Sequence, residues 1–261
     1  MTRMTRSLHV LAAAGITAVA LTGCGSDQAG PAGSDPIGGT VTVFAAASLT
    51  ETFTELGTEF EAAHPGVHVV YSFGASSALA EQIIQGAPAD VFASAAPKNM
   101  RQVVDKGEVT AVPATFARNR LEIAVPKGNP GRITGLVDFG RTEPKIALCA
   151  EQVPCGAAAE TVFQVAGINP EPDTREADVK AVLTKVKLGE VDAALVYRTD
   201  VRAGGGQVEG IAFPEADKAV NDYPVAPLAH APNAAAAAAF VEFVRSDQAR
   251  AVFVKAGFDT P

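Results

Sequence analysis

Ser48 and Ser76 are the residues from which a chemistry can be argued. The run Val41-Thr42-Val43-Phe44-Ala45-Ala46-Ala47 leads into Ser48, and Val67-His68-Val69-Val70-Tyr71-Ser72-Phe73-Gly74-Ala75 leads into Ser76. Each run reads as a strand that ends in small side chains, and each serine stands where an amphipathic segment opens. A helix start leaves backbone N–H groups unpaired and carries partial positive charge, so a serine there offers a hydroxyl and an amide to an anion. Taken singly, either serine reads more readily as a helix cap. Glu51, three residues after Ser48, even completes a capping-box pattern. Two such turns in the first two strand–helix units make a shared ligand as good a reading as two caps. Ser77 competes with Ser76, and spacing does not separate them. Tyr197 closes the apolar run Ala193-Ala194-Leu195-Val196, where its phenol would reach a cleft at the strand's end; a core tyrosine with a satisfied hydroxyl is the alternative. Cys155 and Val179 sit near helix starts and could lend backbone amides, although nothing in their side chains says so.

Material for catalysis is thin. A serine nucleophile needs a base, and beyond residue 23 the histidines are His64, His68 and His230. His64 and His68 flank Pro65-Gly66, so they do not share a helical face and make a poor metal pair. The chain has no Gly-x-Ser-x-Gly elbow and no Gly-Lys-Ser phosphate loop. Cys149 and Cys155 have no further Cys or His near enough to complete a zinc site. In an exported chain they are expected to form a disulfide, whose short loop would contribute about 2 kcal/mol or less. The chain therefore reads as a binder rather than an enzyme, without a cofactor and without direct protein ligands to a metal.

The elements that must position these residues alternate. Leu49, Phe53, Leu56, Phe60 and Ala63 recur at helical spacing after the first strand. A helix is expected from about Ala78 to Gln85, a strand over 90–93, and a helix from Pro97 to about Lys106. Strands over 121–125 and 145–149 follow, then a helix to about Ala166, a helix starting near Val179 and a strand over 193–197. A strand near Tyr223–Leu228 and two helices, about 233–245 and 246–256, close the chain. Such alternation predicts an α/β fold with largely parallel sheets, in which ligands sit beyond the carboxyl ends of strands.

The bulk properties narrow the partners. Of 261 residues, 48% are apolar, 19% are charged, and the formal charge is −8. An acidic chain argues against nucleic acid and against adhesion to anionic lipid headgroups. It leaves room for an anionic ligand, because oriented amides bind anions without a lysine. Arg3 and Arg6 precede the short apolar run Val10–Leu21, and Leu21-Thr22-Gly23-Cys24 follows. The order resembles a bacterial lipoprotein signal: cleavage after residue 23, lipid on Cys24, and an extracytoplasmic protein held at the membrane. Cleavage removes two arginines and no acid, taking −8 to −10. Residues 24–39 read as a flexible tether.

Several segments together resemble one family, the molybdate-binding proteins of bacterial ABC importers (ModA type). Val43-Phe44-Ala45-Ala46-Ala47-Ser48-Leu49, Gly86-Ala87-Pro88-Ala89-Asp90-Val91-Phe92, Val153-Pro154-Cys155-Gly156, Val196-Tyr197 and Phe213-Pro214-Glu215 fall in the family's order and at similar spacing. The closing Ala249-x-x-Val252-Phe253-x-x-x-Gly257-Phe258 fits as well, so the likeness runs from about Thr40 to Phe258. It implies a two-lobed, type II periplasmic-binding-protein-like α/β fold with the ligand in the cleft. Residues 40–119 and 212–261 would form one lobe and 120–211 the other. It also implies that Ser48, Ser76 and Tyr197 donate side-chain hydrogen bonds to molybdate or tungstate, while Cys155 and Val179 donate backbone N–H. Position by position it selects Ser76 over Ser77. A cysteine at 155 departs from many relatives, which a backbone donor tolerates. The implied partners are the oxyanion and the permease subunits of an ABC importer, with the binding protein itself a monomer.

Overall fold

The computed structural model describes residues 37–261. The signal segment, Cys24 and residues 24–36 of the expected tether lie outside the described residues. From there the chain runs β1 (Gly39–Ala46), α1 (Thr50–Ala63), β2 (Val67–Gly74), α2 (Ser76–Ile84), β3 (Val91–Ala93), α3 (Pro97–Asp105) and β4 (Ala114–Asn119). After Arg120 come β5 (Leu121–Pro126), β6 (Ile146–Cys149), α4 (Pro154–Ala166), β7 (Thr174–Glu176), α5 (Val179–Lys187), β8 (Ala193–Tyr197), α6 (Arg198–Gly204) and β9 (Val208–Ile211). The chain ends with β10 (Asn221–Pro227), α7 (Ala234–Val244) and α8 (Asp247–Ala256).

These strands make two five-stranded sheets, ordered β2-β1-β3-β10-β4 and β7-β6-β8-β5-β9. The fold is α/β and two-lobed, one lobe built on each sheet. The sheets are mixed rather than largely parallel. β1 pairs in parallel with β2 and β3, and β6 with β7 and β8, but β10 runs antiparallel to β3 and β4, and β5 antiparallel to β8 and β9. The exceptions have a common cause. β5 and β10 are the first strands after each crossing between sheets, and they enter without the crossover helix that a parallel neighbour requires.

Inner strands carry the continuous apolar runs. β8, between β6 and β5, is buried at all five positions, and β6 at all four. β4, β7 and β9 gave no usable sequence signal, and each is a sheet edge. Thr174-Arg175-Glu176 needs no apolar side chain because one flank of the strand is free. On α1 and the turn just before it the buried stripe is Leu49, Phe53, Leu56 and Phe60; Ala63 faces solvent. Phe53 packs against the rings of Tyr71, Phe116, Phe240 and Phe253, which fastens α1, α7 and α8 to the first sheet. Each such buried ring contributes roughly 1.5–3 kcal/mol. The second core gathers Ile123, Leu148, Val162, Phe163, Leu183 and Leu195, and Phe213 and Ala216, beyond β9, belong to it too. Cys149 at the end of β6 and Cys155 in the first turn of α4 are disulfide-bonded, with Cα atoms 5.8 Å apart.

Ion pairs fix the crossing. Arg120, the one residue between β4 and β5, bonds Asp217 and reaches Asp259 at 2.9 Å; Arg198 at the start of α6 reaches the same carboxylate at 3.1 Å. Desolvation pushes the Asp259 carboxyl up, but Arg198 and Arg120 outweigh it and hold the group below the usual range. Asp138 behaves alike: burial raises it, and bonds from the Thr134 amide, Arg141, the Thr134 hydroxyl and the Gly135 amide win. A carboxyl depressed in the fold stabilises above its unfolded pKa of about 3.9 and loses that contribution as pH falls through the folded value. The melting temperature is therefore expected to fall as pH drops below about 4, and Asp138→Asn should reduce that slope in calorimetric scans from pH 6 to 2. An unchanged slope in the variant would remove Asp138 from the account.

Candidate functional site

The parallel strands aim their carboxyl ends at one place. β1 ends at Ala46, β2 at Gly74 and β8 at Tyr197, while the chain beyond β6 and β7 reaches the starts of α4 and α5 there. These ends line a cavity of about 20 Å³, counted as space open to the centre of a water molecule. Its lining includes all five residues expected from the sequence: Ser48, Ser76, Cys155, Val179 and Tyr197. Ser77 is not among them. Both lobes contribute, with the serines from the first and the other three from the second.

Neither serine caps a helix. The chain after β1 makes a 3-10 turn, Ala47–Leu49, before α1 begins, and neither helix start has a side-chain cap bond. The capping box expected at Ser48 and Glu51 is thus absent. Ser48 sits inside the turn, its Oγ 2.9 Å from the Tyr223 hydroxyl. Glu51 turns instead to the second lobe, where both its oxygens lie 2.8 Å from Lys180 Nζ. Ser76 is the first residue of α2, two positions before the expected start, and its Oγ accepts a 2.9 Å bond from the Ala95 amide. Both hydroxyls are buried, and Ser76, which can only accept from an amide, keeps its hydrogen to give.

On the second lobe the donors come from helix starts. Pro154 occupies the first position of α4, where its missing N–H costs nothing, and Cys155 follows with a first-turn amide. Before α5, the Asp178 carboxylate accepts from the amides of Lys180 at 2.8 Å and Ala181 at 3.0 Å. Val179, the first residue of α5, lines the cavity, and these two bonds tie up the one charged side chain in the lining. Among the described residues lining the cavity there is no lysine, arginine or histidine. Tyr197 is 1% exposed and its hydroxyl has no hydrogen-bond partner among the described residues. A buried phenol without an acceptor costs free energy until one arrives. Burial, then the nearby Tyr223 and Asp200, push its pKa well above the ordinary tyrosine value, so it remains a donor.

A lining with three hydroxyls, two helix-start residues, no cationic side chain and its one carboxylate held by backbone amides suits a ligand that only accepts. It does not suit nucleophilic catalysis: Ser48 bonds a tyrosine, while the His64 ring packs tilted against Phe60, His68 pairs with Glu61 and His230 is exposed. Among the described residues no cluster of His, Cys, Asp and Glu could hold a metal ion, and no helix is long and apolar enough to cross a membrane.

Residues 41–259 match the family model for bacterial extracellular solute-binding proteins. The chain belongs to this family. It is 39% identical to the molybdate-binding protein ModA of Mycobacterium tuberculosis over 92% of this chain and 93% of that one. Against ModA of Escherichia coli the identity is 36%, over 84% and 89%. Among solved structures, the substrate-binding domain of a putative molybdenum ABC transporter from Clostridium difficile is 26% identical with a TM-score of 0.64, covering 85% of this chain and 99% of that one. The periplasmic molybdate-binding protein of Azotobacter vinelandii shares the fold at 23% identity and TM-score 0.73, over 85% and 99%. The sulfate-binding protein SubI of M. tuberculosis does so at 20% and 0.74, over 85% and 86%. The likeness to ModA-type proteins first met in the motifs therefore extends along the chain, and these family members are solute-binding proteins, not enzymes.

Sequence reasoning missed Tyr223, Asp178, Lys180 and Asp200. Tyr223 lies 175 positions from its partner Ser48, and no local pattern joins them. Asp178, by contrast, carried a readable sign: an aspartate directly before an apolar helical repeat is an N-cap.

Proposed function

We propose that this protein captures molybdate, and also tungstate, outside the cytoplasm and delivers it to the permease of an ABC importer. The observation that carries this reading is the cavity: hydroxyls of Ser48, Ser76 and Tyr197 with the amides of Cys155 and Val179, and no cation. A tetrahedral dianion accepts at every oxygen and donates at none, so each of these groups finds a use. Each hydrogen bond to a charged group contributes roughly 1.5–3 kcal/mol. Less desolvation and closure, the sum is consistent with micromolar binding or tighter, about −8 kcal/mol or better. Fold likeness does not choose among oxyanions, since the sulfate-binding and molybdate-binding neighbours match almost equally well. Sequence identity to the molybdate-binding proteins favours molybdate.

In this reading the lobe built on the first sheet closes against the lobe built on the second around the anion, with 213–216 packed in the second core and not, as the resemblance implied, in the first lobe, and the monomer is held at the membrane by lipid on Cys24. Titration calorimetry on residues 25–261 with molybdate, tungstate and sulfate tests it. Saturable heat at micromolar molybdate and tungstate is expected; its absence at tens of micromolar overturns the assignment, and tighter sulfate binding reassigns the ligand. Ser48→Ala and Ser76→Ala should each weaken molybdate binding by about 10- to 100-fold. Unchanged affinity in both would reject these site residues.

A further inference from the structure

Ser76 and Ser48 reach the same state by different routes. At Ser76 the direction of the hydrogen bond is fixed, because the Ala95 amide can only donate and Ser76 Oγ must accept. Its own hydrogen is thereby left for the cavity. At Ser48 the partner is the Tyr223 hydroxyl at 2.9 Å, and the geometry permits either oxygen to be the donor. Were Ser48 to donate to Tyr223, its lone pairs would face the anion and repel it.

We infer that Tyr223 is a positioning residue for the ligand: it donates to Ser48 Oγ and so commits the Ser48 hydroxyl as a donor into the cavity. This rests on the oxyanion reading above. Tyr223 itself does not line the cavity, so it acts through Ser48. It is held firmly enough to do so. The residue is fully buried on β10, with its ring edge-on to Tyr197, Phe116 and Phe258 at centroid distances of 6.1, 6.4 and 5.4 Å. Burial keeps the phenol protonated. A donor behind a donor polarises the chain, so the Tyr223–Ser48–anion series strengthens the outer bond. The backbone does this work for Ser76, and a side chain from 175 residues away does it for Ser48.

The test is a double-mutant cycle read by calorimetry with molybdate. Tyr223→Phe keeps the ring and removes the hydroxyl; it should weaken binding about 5- to 10-fold. Placed on Ser48→Ala, the same change should alter affinity less than about 2-fold, because the residue it acts through is gone. Wild-type affinity in Tyr223→Phe overturns the inference, and so does an equal loss in both backgrounds, which would mark a merely structural hydroxyl. Neutron diffraction from molybdate-loaded wild-type crystals reads the hydrogen without a variant having to fold. Hydrogen on Tyr223 directed at Ser48 supports the inference, and the reverse direction overturns it. A wild-type protein silent to molybdate, tungstate and sulfate is a separate result: it overturns the proposed function, and this inference falls with it.

Discussion

Lys180→Met is expected to destabilise the protein by about 3–5 kcal/mol, the loss that follows when a buried charge is stripped of its partner. Lys180, on the first turn of α5, stands between two acids. Asp200 Oδ1 is 3.0 Å away, and its side chain is 0% exposed; the Glu51 carboxylate at 2.8 Å is 54% exposed. Burial pulls the ammonium's pKa down, but Asp200 and Glu51 outweigh it and the net shift is upward. Asp200 also accepts from the Tyr197 amide at 3.2 Å, so the acid that needs Lys180 is the one that braces the cavity tyrosine. Removing the lysine leaves a carboxylate in the interior with no counter-charge, which must then be stabilised by taking up a proton.

The two acids should separate in the experiment. Glu51→Gln removes an exposed partner, and exposed pairs contribute about 0–1 kcal/mol. Yet Glu51 belongs to α1 in the first lobe and Lys180 to the second, so that small loss falls on closure and should appear in ligand affinity. Lys180→Met with Asp200→Asn removes both buried charges and should recover most of the stability. Urea denaturation with the ligand absent, beside calorimetry with molybdate, reads both. A Lys180→Met loss below about 1 kcal/mol would mean that the Asp200 site is wetter than its exposure implies.

How much of this was legible follows from where information lies along a chain. The serine turns were readable because a strand tapering to alanines before a serine is a local pattern. Val43–Leu49 contains its whole signal, while Phe73–Ser77 marks the turn without separating Ser76 from Ser77. Tyr197 was readable as the end of an apolar strand, but its unpaired hydroxyl was not, since that depends on what the other lobe fails to offer it. The sheets were misjudged as largely parallel because direction is a property of the crossing at Arg120, and one residue between two strands carries no mark of which sheet receives the second. Glu51 shows the limit most clearly. Its spacing from Ser48 fits a capping box, and locally nothing contradicts it. The long-range attraction of Lys180 on one side, and of Tyr223 for the Ser48 hydroxyl on the other, outcompetes a local bond of about 1 kcal/mol.

Gly156→Ala is expected to weaken molybdate binding by about 10- to 100-fold and to destabilise the protein by about 1–3 kcal/mol. A Cβ at position 156 would stand 1.9 Å from the Ala150 carbonyl oxygen, 2.6 Å from its carbon and 3.0 Å from the Cys149 oxygen. All three are backbone atoms, so no side chain can swing aside. The start of α4 would have to lift from the loop after β6, and Val153, Pro154 and Cys155 on that start form one wall of the cavity. The Cys149–Cys155 bridge opposes the movement, because it ties the end of β6 to the residue just before the glycine. The strain is therefore shared between a displaced Cys155 amide, read as lost affinity, and a distorted loop, read as lost stability. Replacing both cysteines by alanine in the Gly156→Ala background frees α4 to settle and should return part of the affinity, although the same pair of changes in the wild type should lower stability by about 2 kcal/mol or less. Calorimetry and urea denaturation on the four proteins decide it. If Gly156→Ala matches the wild type in both measurements, the loop yields without cost, and the tight approach of α4 to Ala150 is not what sets the wall of the cavity.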